Sequence, residues 1–95
     1  MNNRVASLLS LLFEEVSTNQ KESIINLKSW FVKLGESINQ VSKSSDGLLI
    51  YKIDSIKPEL SNLHIFIYPN GVIKISGRQI GTFKELENMI TYLLG

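Results

Sequence analysis

The 95-residue chain contains no cysteine. Disulfides, thiolate nucleophiles and sulfur-ligated zinc are therefore excluded. A small secreted domain usually relies on such staples, so their lack points to an intracellular, cytoplasmic address. Histidine is almost as scarce. His64 stands alone beside two Asp and seven Glu, none spaced with it on a helix face, so no metal site is expected. Charge of one sign is also missing. The net charge is +1 and is spread along the chain, which gives no bulk electrostatic drive toward nucleic acid or an anionic membrane.

Long apolar runs are absent too. The run Val5–Phe13 is too short to span a bilayer. Arg4 precedes it, as in a signal peptide, but Glu14 and Glu15 follow at once and no small-x-small cleavage pattern appears. The run reads as a buried helix, and no membrane partner is expected. Catalytic patterns are lacking as well: there is no nucleophile elbow and no Ser-x-x-Lys. Glu14 and Glu15 are neighbours, so on a helix they point about 100° apart and cannot act as a carboxylate pair. Gly77–Thr82 opens a helix after a strand, but it lacks the lysine and the spacing of the common phosphate-binding fingerprints. An enzyme is not expected, nor is a cofactor.

What is present is a globular composition. Hydrophobic residues make up 43% and charged residues 20%, which sets the chain apart from disordered sequences. The length fits one domain, residues 1–95. Asn2 or Asn3 caps a first helix running to about Val16, apolar on nearly every side. Such a helix needs cover from more than one direction. Ser17 with Gln20, or Asn19 with Glu22, offers a capping box for a second helix. Ile24, Leu27, Phe31, Leu34, Ile38 and Val41 then form a 3-4-3-4-3 seam, which predicts one long helix bent at Gly35. Ile25, Trp30 and Val32 add a second apolar flank.

Beyond the turn cluster Ser44–Gly47, strands are predicted at Leu48–Ile53, Leu63–Tyr68 and Val72–Ser76, with Ser55–Asn62 as a loop. Pro69-Asn70-Gly71 reads as a tight hairpin turn in which Asn and Gly supply the positive φ angles. Alternation places Leu63, Ile65, Ile67, Ile73 and Ile75 on a core face, and His64, Phe66, Tyr68, Val72 and Lys74 on the other. Thr82 and Glu85 form the capping box of a last helix, whose stripe is Phe83, Leu86, Ile90 and Leu93. The expected fold is a two-layer α+β domain of order α-α-β-β-β-α with an antiparallel three-stranded sheet. Residues 1–43 form a helical hairpin in this reading, and 47–95 a β-meander plus the C-terminal helix.

The two leading helices carry more apolar surface than a three-stranded sheet obviously needs. That excess predicts a non-enzymatic protein-binding or regulatory module that self-associates as a homodimer through Leu8, Leu12, Trp30 and Phe31, with another protein as a further partner. The alternative is a nucleic-acid-binding protein that uses Phe66, Tyr68, Lys74 and Arg78, because aromatic rings beside cations stack bases and pair phosphates.

Overall fold

A computed structural model describes residues 17–95. The chain order is helix α1 (Thr18–Lys33), strands β1 (Ser37–Lys43) and β2 (Leu49–Asp54), the one-turn helix α2 (Pro58–Ser61), strands β3 (His64–Ile67), β4 (Ile73–Ile75) and β5 (Arg78–Gln79), and helix α3 (Phe83–Leu94). The strands form one antiparallel five-stranded meander in the order β1-β2-β3-β4-β5. The class is α+β, as the sequence predicts. The expected first helix lies outside the described residues.

Three expectations need correction. The sheet has five strands rather than three. The predicted long helix stops at Lys33, and residues 37–43 form a strand instead of its continuation. The stop is a Schellman motif: Glu36 N–H donates to Phe31 O at 2.8 Å, and Gly35 N–H to Val32 O at 3.0 Å. Gly35 takes φ +78°, a conformation other residues enter only at a cost. Finally, the expected loop Ser55–Asn62 contains α2, with Pro58 at its first position.

The capping predictions are sharper. Ser17 caps α1, its hydroxyl accepting from Gln20 N–H, while the Gln20 side chain accepts from Ser17 N–H. Of the two boxes the sequence offers, the Ser17–Gln20 one forms. Thr82 caps α3 by accepting from Glu85 N–H at 3.2 Å, and Glu85 Oε1 reaches back to Gly81 N–H at 3.1 Å.

The core lies on one face of the sheet. Leu49, Ile67 and Ile73 form one cross-strand row, and Tyr51, Ile65 and Ile75 a second. Ile53 pairs Ile38, extending the face to β1. Leu27 and Phe31 of α1, Leu60 of α2, and Leu86, Met89 and Ile90 of α3 belong to the same buried cluster. All the described helices therefore sit on one side of the sheet. The Lys33 ammonium lies 5.1 Å from the Phe83 ring centre, linking the end of α1 to the start of α3. Among the described residues, no helix is long and apolar enough to cross a membrane.

Candidate functional site

The opposite face of the sheet collects the side chains that alternation turns away from the core. Paired residues build one complete row across all five strands: Ser42, Ile50, Phe66, Lys74 and Gln79. A second row holds Asn39, Lys52 and His64. Tyr68 and Val72 extend the face past the end of the β3–β4 ladder, where Tyr68 N–H donates to Val72 O at 2.8 Å. Ile50, Phe66, Tyr68 and Val72 are half-buried. The Lys74 ammonium sits 5.4 Å from the Tyr68 ring centre, and the His64 and Phe66 rings lie 6.5 Å apart. Lys52 and Lys74 are the cations here, and Asp54 is the acid at one corner. Among the described residues, no helix lies over this face.

The structure brings Phe66, Tyr68 and Lys74 together, as alternation predicts. Arg78 goes elsewhere. It pairs Ile75, whose side chain is in the core, so it projects toward the helical side and borders a small cavity with Met89, Tyr92 and Leu93. Phe31 is fully buried in the core, and Trp30 is half-buried at its flank. Leu8 and Leu12 lie outside the described residues.

The β3–β4 turn differs in detail from its sequence reading. Only Gly71 takes a positive φ, +90°. Asn70 contributes through its side chain, whose Oδ1 accepts from Val72 N–H at 3.1 Å.

A polar clamp at this turn was not anticipated. Ser17 Oγ donates to Pro69 O and Ser23 Oγ to Gly71 O, both at 2.6 Å. The amide of Gln20, almost wholly buried, donates to Gly47 O at 2.8 Å and to Ile67 O at 3.1 Å. The start of α1 is thus fastened to the tips of two sheet connections. A signal existed in the sequence. Gln20 and Ser23 continue the seam of Leu27 and Phe31 backward, so they are polar residues on a buried stripe.

A cleft of about 420 Å³ lies between the end of α1 and the loop Asp54–Lys57. Its polar groups mostly satisfy one another. Ser55 Oγ donates to Glu36 Oε2 at 2.9 Å, and the Lys57 ammonium lies 3.7 Å from the same oxygen. No group of three metal-binding side chains gathers among the described residues. Two titration shifts stand out. Burial pushes the Tyr51 phenol up, and the Ser44 hydroxyl bound to Asp46 holds that carboxyl below its ordinary value. Both lie away from the open face.

Comparison with protein-family models, curated proteins and solved structures gives no match.

Proposed function

We propose that this protein is a small non-enzymatic protein-binding or regulatory module that self-associates as a homodimer through its N-terminal helical part. One observation carries the reading: apolar surface remains on α1 after its core stripe is filled. Leu27 and Phe31 are committed to the core, yet Ile25 and Val32 are 66% and 72% exposed. Seven residues apart, they share one outward stripe of the helix. Leu8 and Leu12 belong to the apolar run Val5–Phe13 that precedes it in the sequence. Two large apolar side chains exposed on one stripe are what a protein contact would cover.

The test is a double substitution, Ile25→Lys with Val32→Lys, in the full chain. Both side chains are exposed, so the fold should tolerate the change within about 0.5 kcal/mol. Light scattering should give twice 10.7 kDa for the natural chain at micromolar concentration. The variant should associate about tenfold more weakly or worse, a change of 1.4 kcal/mol or more. Unchanged association would place the interface elsewhere.

A second reading rests on the open sheet face, where the His64, Phe66 and Tyr68 rings stand beside Lys52 and Lys74. Such a platform suits single-stranded nucleic acid. Fluorescence titration with single-stranded and duplex oligonucleotides at about 50 mM salt, where phosphate contacts are strong, tests it. Binding should be lost in Phe66→Ala with Lys74→Ala. No binding by the natural chain removes this reading.

A further inference from the structure

The β3–β4 turn holds the one Asn-Gly pair of the sequence, Asn70-Gly71. Such a pair can cyclise on itself, because the amide nitrogen of the second residue lies within reach of the side-chain carbonyl of the first. Gly71 brings no side chain to shield its nitrogen. Asn70 is exposed, and its Oδ1 accepts from Val72 N–H at 3.1 Å. That oxygen gains negative charge when a nucleophile adds to Cγ, so a backbone donor already stands where charge develops. Gly71 N–H is bonded to Tyr68 O at 2.8 Å, so attack waits on brief openings of the turn.

The chemistry needs only water. Gly71 N gives its proton to solvent base and bonds to Asn70 Cγ. The Cγ–Nδ2 bond breaks and ammonia leaves. Water then opens the succinimide at Cγ, giving aspartate, or at the main-chain carbonyl carbon of residue 70, giving isoaspartate. Either product lowers the net charge from +1 to zero. Isoaspartate also routes the main chain through Cβ and Cγ, one atom longer than before.

That extra atom falls between the two carbonyls that anchor α1. Pro69 O accepts from Ser17 Oγ and Gly71 O from Ser23 Oγ, both at 2.6 Å. Gly71 is also pressed against the helix: a Cβ there would lie 3.0 Å from the Asn19 Cβ. A longer chain between the two anchors therefore cannot be taken up toward α1, and it moves the carbonyls off their hydroxyls. We propose that Asn70 is a site of spontaneous deamidation, and that isoaspartate there releases the start of α1 from the β3–β4 turn.

The test ages the purified full chain at mildly alkaline pH and separates the less basic forms by cation exchange. Trypsin yields the peptide Ile53–Lys74, since Lys57 precedes Pro58, and fragmentation separates Asn62 from Asn70 and aspartate from isoaspartate. Asn70 should convert about tenfold faster than Asn62, or more. Conversion first at any other asparagine, or none at Asn70, would overturn the assignment. Hydrogen exchange on the separated intact forms then reads the release. In the isoaspartate form the amides of Lys21–Ile24 should exchange about tenfold faster than in the natural chain, while those of Leu86–Ile90 keep their protection. The variant Asn70→Asp, which carries the same charge without the extra atom, should match the natural chain. Unchanged exchange in the isoaspartate form, equal acceleration in Asn70→Asp, or acceleration throughout the molecule would each overturn the release.

Discussion

Gln20 occupies a position on α1 that its neighbours Leu27 and Phe31 would lead one to fill with an apolar residue. Its burial is tolerable because each side-chain polar atom has a partner: Oε1 accepts from Ser17 N–H, and Nε2 donates to two carbonyls. Gln20→Met keeps the volume but removes the donors to Gly47 O and Ile67 O. Urea unfolding should show a loss of about 1–3 kcal/mol, the cost of leaving a buried acceptor unsatisfied. Its place on the Leu27–Phe31 stripe was legible in the sequence, but its partners were not, because they are backbone carbonyls 27 and 47 residues away. Tyr51 makes a second residue-scale prediction. Its buried phenol titrates above the ordinary value of 10.0 in the folded state. Unfolded chains therefore release this proton first as pH rises, so the folded state binds more protons and stability falls with pH above about 10. Tyr51→Phe should flatten that alkaline decline in denaturation midpoints.

At the scale of elements, the helix-to-strand switch at Gly35 explains why part of the fold was misread. Ile38 and Val41 continue the 3-4-3 spacing of α1 and so mimic a helix. In the structure Ile38 faces the core opposite Ile53, while Val41 sits in a bulge between Gln40 and Ser42. Strand and bulge together reproduced a helical interval. The β3–β4 hairpin was legible because strict alternation has no such double. Its core and open faces match the sequence reading, with Leu63 half-buried at the margin. The β4–β5 hairpin was missed because its last strand has two residues, too few for any pattern. Its turn includes Ser76 at φ +53°, a residue poorly suited to that conformation. Ser76→Asn should raise stability by about 0.5 kcal/mol, because Asn tolerates the left-handed region better. Gly35 and Gly71, at two further turns, should rank clearly. Gly35→Ala meets no atom within 4 Å and should cost about 1–2 kcal/mol from its φ alone. A Cβ on Gly71 would lie 3.0 Å from the Asn19 Cβ, so Gly71→Ala should lower the urea midpoint further.

For the whole molecule, the decisive fact is the one-sidedness of the described fold. Two apolar rows on one sheet face bind all the described helices, while the other face presents Ile50, Phe66 and Tyr68 beside two lysines. Phe31, assigned to self-association from sequence, lies wholly in the core. Phe31→Ala should therefore cost about 3–5 kcal/mol of folding stability, measured by urea unfolding. Ile25 and Val32, by contrast, are the large apolar residues of α1 that remain exposed. The general shape of the candidate surface, an aromatic and basic sheet face, was readable from alternation. The side on which Arg78 falls was not, because it depends on pairing with Ile75. Self-association remains the central claim, and sedimentation velocity of the unmodified chain across a micromolar concentration series tests it most directly. The account predicts a single boundary moving toward twice 10.7 kDa as concentration rises. A boundary that stays at 10.7 kDa throughout would contradict it.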